Sequence, residues 1–196
     1  MNEPFEVLIL QLMDQRYGVI DTLLSPTLLQ QLRRALEVRL DAGRFKAAGI
    51  GQQSDFHRDL SYRSDQIDWI DPYLKEGPEA EFLSLMHGFM DYLNRTCFTS
   101  LKSCEFHFAR YEQGSFYKRH LDQFRSDSGR QFSVVTYLND DWTEADGGAL
   151  VLYLPEGPQQ ILPLGGRTVF FKSDELEHEV LPAKKDRLSM TGWLKN

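Results

Sequence analysis

The chain has 196 residues, 41% of them hydrophobic, and a formal net charge of -7 at pH 7. This length and apolar content fit one folded domain with a sizeable core and exclude an intrinsically disordered chain. The acidic balance argues against a general affinity for nucleic acid, which requires a basic surface, so we interpret four cations as solvated charges of a local rim: Lys118, Arg119, Arg125 and Arg130.

Helices are predicted in the first part of the chain. A short helix is expected over residues 6–15. Ser25 and Pro26 then have the pattern of a helix N-cap followed by proline at the first helical position. Apolar residues recur on one face after them until Gly43, which indicates an amphipathic helix packed on a core.

A third helix is predicted to begin after Gly77 and Pro78. Its apolar residues have the three- and four-residue spacing of one buried helix face. We therefore interpret them as core rather than as part of a cofactor site. The stripe consists of Phe82, Leu85, Met86, Phe89, Met90 and Leu93.

Residues 44–63 form a polar segment rich in glycine, glutamine, serine and charged residues. A polar segment of this length inside a compact domain is often a lid or a binding loop. An ordinary exposed hairpin explains the same composition equally well, and both interpretations stay open.

From residue 105 onward the pattern changes to short strands separated by glycine- or proline-containing turns. The predicted strands are residues 105–111, 117–122, 131–138, 149–154, 159–162, 168–172, 178–181 and 188–194. Eight short strands after packing helices predict an α+β, mostly β fold, a double-stranded β-helix (jelly roll) braced by N-terminal helices. We expect a single domain over residues 1–196, with helical support in about 1–100 and the jelly-roll core in about 105–194.

The cellular setting is predicted from cysteines and apolar runs. Cys97 and Cys104 lie seven residues apart without a CxxC step, which is a poor zinc motif and a poor disulfide framework, so we expect two free thiols. The apolar run at residues 7–10 is too short for a signal peptide, and no stretch approaches a membrane span. We expect a cytoplasmic monomer that binds neither membrane nor nucleic acid.

His120, Asp122 and His178 are the candidate metal ligands. Strand residues two apart point to one face, roughly 6.6 Å apart along the chain, so His120 and Asp122 can converge on one ion. His178, from a late strand, supplies a third ligand. Three ligands on one side of an ion leave its remaining positions open, as in the facial triad of non-heme Fe(II) oxygenases.

Arg187 is the candidate anchor for a second ligand of that ion. It follows His178 by nine residues, across a turn and onto an antiparallel strand, so its guanidinium can lie deeper in the barrel than the metal. There it can hold a carboxylate through two charge-assisted hydrogen bonds, which lysine would not reproduce as rigidly. A linear dicarboxylate with one end on iron and the other on Arg187 describes 2-oxoglutarate.

Two further polar side chains in predicted strands have open interpretations. Tyr137 lies in a strand that looks buried, where a phenol needs a partner, and it can donate to the same carboxylate or be an ordinary core tyrosine. His107 alternates with Phe106 and Phe108 and can face the cavity, although most such residues are structural. His57 and His87 are interpreted as loop and helix-surface residues.

Several runs of sequence form a specific combination. They are YEQGSFYKRHLD at 111–122, YLNDDW at 137–142, GGAL at 147–150, LPEG at 154–157 and HEVLPA at 178–183, with YGVID at 17–21 and RSDQIDWI at 63–70. Together they resemble the HIF-type prolyl hydroxylases, the animal oxygen-sensing enzymes, and their bacterial relatives. The resemblance covers nearly the whole chain.

This resemblance implies which residues bind the cofactors. It implies Fe(II) at the three candidate ligands and the distal 2-oxoglutarate carboxylate at Arg187 and Tyr137. It also implies that Tyr111 lies beside the co-substrate and that Thr191 lies just outside the metal ligands, with O2 as the oxidant and ascorbate as the reductant.

The resemblance also implies how a protein substrate binds. Tyr117, Arg130 and Trp193 match residues that line the pocket for the target proline, and residues 44–63 match a loop that folds over a bound peptide. His107 departs from the pattern, since the animal enzymes carry an apolar residue there. Bacterial relatives are associated with elongation factor Tu, which makes that protein a candidate partner.

The sequence thus leads to the hypothesis of an Fe(II)- and 2-oxoglutarate-dependent prolyl 4-hydroxylase that acts on a protein. Asp122 favours hydroxylation, because related halogenases carry a small residue at that position. A second hypothesis keeps the chemistry and changes the target to another protein, another side chain or a free amino acid. A third is a non-catalytic jelly-roll module that binds a metal or a peptide, and a fourth is a nucleic acid demethylase, which the acidic balance disfavours.

Overall fold

The computed structural model describes residues 3–49, 61–123 and 129–196. Ser25 caps a helix as predicted, because its hydroxyl accepts a 3.1 Å hydrogen bond from the Leu28 amide, and Pro26 is the first helical residue. The helix expected over residues 6–15 begins three residues earlier. The helices in the described ranges are α1 (Glu3–Gln15), α2 (Pro26–Asp41) and α3 (Pro78–Cys97).

The strands of the described residues number eleven. The eight predicted strands are confirmed as the last eight, with ends shifted by at most two residues, and the first three were not predicted. In chain order the strands are β1 (Tyr17–Ile20), β2 (Lys46–Ala47), β3 (Gln66–Trp69), β4 (Ser103–Tyr111), β5 (Tyr117–His120), β6 (Arg130–Tyr137), β7 (Leu150–Leu154), β8 (Gly157–Ile161), β9 (Thr168–Lys172), β10 (His178–Val180) and β11 (Arg187–Lys195).

Two antiparallel sheets form the jelly roll. The major sheet has seven strands in the order β1-β9-β6-β11-β4-β3-β2, and the minor sheet has four in the order β5-β10-β7-β8. Side chains from both sheets line one cavity, which confirms the predicted double-stranded β-helix. The first hundred residues contribute three strands to the major sheet in addition to the bracing helices.

The two faces of the major sheet have different roles because strand side chains alternate. On β4, Phe106 and Phe108 pack into the core formed with the three helices, whereas His107, Ala109 and Tyr111 line the cavity. The predicted stripe of α3 lies in the helix-side core, with five of its six residues buried and Leu85 partly buried. The helices therefore brace the sheet without entering the cavity.

A buried ion-pair network fastens the helices to the sheet. The guanidinium of Arg39 on α2 bonds to Asp68 on β3 at 2.7 Å and to Glu79 on α3 at 2.8 Å, and it lies 5.3 Å from the ring centroid of Phe108. Asp68 is the helix-side neighbour of Ile67 and Trp69, which line the cavity. The network thus fixes the strand that forms one edge of the cavity wall.

Three further predictions concern the cysteines, a membrane span and the polar segment. Cys97 and Cys104 are free, the first exposed and the second buried. None of the helices in the described ranges combines the length and apolarity that crossing a bilayer requires. Most of the polar segment at 44–63, including His57, and also Arg125 lie outside the described residues.

Candidate active site

The cavity between the two sheets has a volume of about 420 Å³. Its wall contains the three candidate metal ligands and Arg187, together with apolar side chains such as Val135 and Leu150. A concave space with a few convergent polar groups is the usual form of a small-molecule site. The structure therefore brings together residues that lie 67 positions apart in sequence, from His120 to Arg187.

The candidate metal ligands come from two paired strands and a turn. His178 is the first residue of β10 and lies directly opposite His120, the last residue of β5. Asp122 lies in a bend beyond the end of β5, so the expectation that His120 and Asp122 share one strand is wrong. The chain leaves the sheet after His120, and the bend turns the carboxylate toward both imidazoles.

The donor atoms of these three residues converge. Nε2 of His120 lies 3.6 Å from Oδ1 of Asp122, and Nε2 of His178 lies 3.5 Å from Oδ2. All three donors lie within 4.8 Å of one another. Two ligands that are each about 2.1 Å from one ion lie at most about 4.2 Å apart, so both nitrogen–oxygen distances suit a shared divalent cation.

Both imidazoles are held in the tautomer that a metal needs. Nδ1–H of His120 donates to the Lys118 carbonyl at 2.7 Å, and Nδ1–H of His178 donates to the Leu176 carbonyl at 3.1 Å. A proton on Nδ1 leaves the Nε2 lone pair free for a cation. Burial lowers the pKa of His178 to about 4, which keeps this imidazole neutral at physiological pH.

A buried hydroxyl chain orients Asp122. The Ser133 hydroxyl donates to Oδ2 of Asp122 at 2.7 Å, and Oγ of Ser173 lies 2.8 Å from Oγ of Ser133. Burial by itself raises the pKa of the Asp122 carboxyl, but the two imidazoles and the Ser133 hydroxyl hold it below its ordinary value. The carboxylate is therefore anionic, as a divalent metal requires.

Arg187 lies at the other end of the cavity and is 2% exposed. Its guanidinium lies 4.9 Å from the ring centroid of Tyr111 and 4.8 Å from that of Tyr137. Its Nε donates to the Gly148 carbonyl at 3.0 Å. Two aromatic rings and one carbonyl thus fix the plane of the Arg187 guanidinium.

The charge of Arg187 lacks an anion. No carboxylate in the described ranges forms an ion pair with it. Arginine remains protonated in proteins, and a buried charge without a counterion is strongly unfavourable. An anionic ligand that completes this site removes that cost, and the planar fork suits the two oxygens of a carboxylate.

Tyr137 supplies a second unsatisfied group beside the guanidinium. Its side chain is fully buried, and its hydroxyl has no hydrogen-bond partner within the part of the chain that the structure describes. Burial raises the pKa of Tyr137, so the phenol is protonated and can donate. A buried orphan donor next to an uncompensated cation fits the carboxylate end of a dicarboxylate such as 2-oxoglutarate.

Position 148 requires a glycine. Its φ is +68°, and an added Cβ would lie 2.8 Å from Cβ of Ala183, 3.0 Å from the Trp142 ring and 3.4 Å from Cδ of Arg187. A side chain here would therefore clash and strain the backbone. The glycine allows its carbonyl to reach the arginine.

A second set of residues lines the opposite end of the cavity, near its mouth. Arg130 is buried and not a solvated surface charge, so that expectation is wrong. Its guanidinium pairs with Glu105 at 2.9 Å and lies 3.4 Å from the ring centroid of Trp193, because the start of β6 lies beside the end of β11. Lys118 and Arg119 are exposed as expected.

Tyr117 connects the mouth to the candidate metal ligands. Its ring stacks on His120 with centroids 3.5 Å apart, and the Arg63 guanidinium lies 4.1 Å from the centroid of the Tyr117 ring. Arg63 is held in turn by a 2.6 Å ion pair with Asp65. Thr191 lines the same cavity on β11 and is 3.1 Å, oxygen to oxygen, from Ser189.

Sequence reasoning did not single out several of these groups. Ser133 could have been found, because it alternates with Val135 and Tyr137 on the predicted strand and so shares their face. Arg63 and Trp69 lie within a run that carries the family resemblance, but no local pattern indicates that their side chains line the cavity. Glu105 becomes meaningful only through its pairing with Arg130.

The chain is similar to known proteins along most of its length. The model of the 2OG-Fe(II) oxygenase superfamily matches residues 106–195. Egl nine homolog 1 of Mus musculus and that of Homo sapiens are each 34% identical to the chain in alignments of 187 positions that cover 89% of this chain. Those alignments cover 45% and 42% of the two relatives, so the chain spans less than half of their length.

Two solved structures of prolyl hydroxylases are similar to this chain over nearly its whole length. A prolyl-4-hydroxylase from Pseudomonas putida superposes with a TM-score of 0.88 and 35% identity, covering 98% of both chains. A prolyl hydroxylase from Trichoplax adhaerens, in complex with a hypoxia inducible factor oxygen degradation domain peptide fragment, superposes with a TM-score of 0.87 and 26% identity. That match covers 99% of this chain and 90% of the other.

Proposed function

The chain belongs to the prolyl hydroxylase family of 2OG-Fe(II) oxygenases, and from this membership we propose that it hydroxylates a prolyl residue of a protein. The proposed reaction is prolyl 4-hydroxylation that uses Fe(II), 2-oxoglutarate and O2. We assign His120, Asp122 and His178 as the iron ligands, and Arg187 and Tyr137 as the groups that bind the distal carboxylate.

One observation carries this proposal. The buried guanidinium of Arg187 has no carboxylate partner in the described chain, and it lines the same cavity as three convergent donors for a divalent cation. A structural arginine would have an internal anion, and a purely metal-binding module would have no use for a cation there. A ligand with a metal-binding end and a carboxylate end satisfies both groups.

Bound iron and 2-oxoglutarate supply the oxidising chemistry, in which 2-oxoglutarate and O2 become succinate and CO2 while one oxygen atom enters the substrate. The residues of the chain prepare the site for it. Asp122 and the imidazoles of His120 and His178 would hold the cation from one side, and Ser133 keeps the carboxylate in place. Val135 and Leu150 contribute apolar surface to the cavity around these groups.

Further residues are assigned to the co-substrate and to the peptide. Tyr111 packs against the Arg187 guanidinium, and Thr191 lines the wall between the two ends of the cavity. We propose that Tyr117, Arg130 and Trp193 form the pocket for the target proline. Trp193 offers a ring face to a proline, Arg130 fixes the orientation of Trp193, and Tyr117 lines the same cavity.

The finer proposals concern the partner and its setting. Elongation factor Tu is the candidate substrate that the family resemblance implies, and ascorbate is the reductant that would keep the iron in its ferrous state. The two free thiols support a reducing cytoplasm as the location. The competing targets are a proline of a ribosomal protein, another side chain and a free amino acid.

The experiment that tests this function is mass spectrometry of proteins from cells with and without the gene, complemented with the wild type or with Asp122→Ala. We expect one or more proteins to carry hydroxyproline only when the wild type is present. If elongation factor Tu is unmodified while another protein is hydroxylated, only the partner assignment is wrong. If no hydroxylated residue depends on the gene, the proposed function is wrong.

A further inference from the structure

His107 is a buried titratable residue that the proposed iron and 2-oxoglutarate sites do not use. It lies in the middle of β4, where alternation turns its side chain into the cavity. It pairs in register with Trp69 on β3 and with Thr191 on β11, so it lies at the centre of a row across the major sheet. The imidazole is therefore part of the cavity wall and not of the helix-side core.

The imidazole has an unmet hydrogen-bonding requirement. His107 is 4% exposed, and its Nδ1 has no hydrogen-bond partner within the described part of the chain. A buried polar atom without a partner is rare in native proteins and costs free energy until a partner arrives. Nε1 of Trp193, on the same wall, is also buried and without a partner in those residues.

Aromatic rings flank His107 on two sides. The ring centroid of Trp69 lies 4.8 Å from the imidazole, and that of Trp193 lies 5.5 Å away. Trp69 is 47% exposed, so this trio extends from the interior of the cavity to its rim. The imidazole thus lies on the cavity wall between Trp69 at the rim and Trp193.

The charged groups around His107 lie at the mouth of the cavity and at the candidate metal site. Burial lowers the pKa of His107 to about 3, and its charged neighbours are Arg63, Asp65, Arg130 and Asp122. His107 is consequently a neutral hydrogen-bonding group at the end of the cavity where Arg130 and Trp193 lie.

We propose that His107 is a specificity-determining residue whose Nδ1 forms a hydrogen bond with the main chain of a bound peptide, beside the target proline. The inference rests on the proposed function, since it requires a peptide in this cavity. A neutral imidazole offers one donor and one acceptor, and a peptide main chain offers amides that match either one. The flanking tryptophans present apolar ring faces for the proline itself, which lacks an N–H.

The test compares side chains that place a polar atom at different points. His107→Asn has an amide atom near the position of Nδ1, His107→Gln has one near Nε2, and His107→Leu has none. A synthetic library of short peptides with a fixed central proline is first selected on the wild-type protein loaded with Mn(II) and 2-oxoglutarate without O2. The Kd of the selected peptides is then measured for each variant, with His87→Leu as a control at an exposed helix position.

We expect His107→Leu and His107→Gln to raise the Kd about tenfold, which corresponds to about 1.4 kcal/mol, while His107→Asn and His87→Leu leave it within about twofold. The affinity for 2-oxoglutarate serves as the check that the cavity of each variant is intact. Equal peptide affinity in the leucine and asparagine variants overturns the proposal.

A spectroscopic readout tests the hydrogen bond directly. The chain has five histidines, so protein labelled with ¹⁵N-histidine and loaded with Zn(II) gives few imidazole signals, and His107→Asn assigns the relevant one. We expect the Nδ1 shift of His107 to change when the selected peptide binds. If the Nδ1 shift of His107 is unchanged in a complex saturated with peptide, the proposal for His107 is contradicted. If no peptide of the library binds the wild-type protein, the proposed function itself is contradicted.

Discussion

The Ser133 hydroxyl donates a 2.7 Å hydrogen bond to Oδ2 of Asp122, and both side chains are buried. A hydroxyl has one proton to give, so the Ser173 hydroxyl, 2.8 Å away, donates to Ser133 in turn. This chain holds the carboxylate in the orientation that faces the two imidazoles. Removing a group that orients a metal ligand in this way typically lowers the affinity for the metal about 10–100-fold.

Ser133→Ala is therefore expected to weaken Mn(II) or Fe(II) binding by about 10–100-fold, measured by metal titration. Thr136→Val is the matched control, since Thr136 lies on the same strand and its buried hydroxyl pairs with Thr168 at 3.0 Å, away from the cavity. Equal loss of metal affinity in both variants would show a general effect on folding instead of carboxylate orientation.

Arg187 is predicted to set the affinity for 2-oxoglutarate. Hydrogen bonds to a charged group contribute roughly 1.5–3 kcal/mol each, so Arg187→Ala should raise the 2-oxoglutarate Kd by at least about tenfold. Arg187→Lys should recover part of the loss, because it keeps the charge but lacks the planar fork. Calorimetry on the Mn(II)-loaded protein measures both values.

The control for these variants is Arg167→Lys, which alters an ion pair with Asp21 at the outside of the fold. It should leave 2-oxoglutarate affinity unchanged. The assignment of the anchor is wrong if Arg187→Ala binds 2-oxoglutarate as tightly as the wild type does.

The buried, neutral His107 predicts a pH dependence of stability. Its folded pKa of about 3 lies below the ordinary value of 6.5, so the unfolded chain binds a proton between these values that the folded chain does not. Stability therefore falls as pH falls from 6.5 toward 3, with a slope of up to about 1.4 kcal/mol per pH unit from this group. His107→Leu should lose less stability over that range, in urea unfolding measured at several pH values.

The same experiment has an internal reference in His87→Leu, because His87 is exposed on α3. That variant should follow the wild-type acid profile. A His107→Leu profile parallel to that of the wild type would mean that the imidazole becomes protonated without unfolding.

Arg39 is predicted to matter for the fold. Arg39→Met removes the cation between Asp68 and Glu79 and leaves two largely buried carboxylates without it, which typically costs about 3–5 kcal/mol. Arg119→Met is the comparison, since the pair of Arg119 with Glu177 is half exposed and such pairs contribute less than about 1 kcal/mol. Equal unfolding free energies for the two variants would contradict the bracing role of the network.

The sequence predicted the parts of the fold that have repeated local patterns. The stripe on α3 and the alternation along β4, β6 and β11 are long enough to identify these elements, and the glycine- or proline-containing turns mark the shorter strands between them. β1, β2 and β3 were missed because they are two to four residues long and lie outside that series of strands and turns, and their pairing is set by distant strands. The division of the chain into one domain remains a prediction.

In the candidate site, too, local patterns identified some residues, whereas the environment of others depends on distant parts of the chain. Residue types and spacing were sufficient to select His120, Asp122, His178 and Arg187, which the structure places around one cavity. Sequence could not indicate that Asp122 lies beyond the strand end, since a bend of the chain and a strand continuation have the same side-chain pattern. Nor could it indicate that Arg130 is buried, because that depends on Glu105 and Trp193 from neighbouring strands.

The conversion of labelled 2-oxoglutarate is the direct test of the proposed iron and 2-oxoglutarate sites. Protein loaded with Fe(II) and labelled 2-oxoglutarate under anaerobic conditions is mixed with ascorbate and with extract from cells that lack the gene, and O2 is then admitted. We expect labelled succinate from the wild type, and none above background from Asp122→Ala. Failure of the wild type to form succinate, or equal formation by Asp122→Ala, would contradict the assignment of this cavity as an Fe(II) and 2-oxoglutarate site.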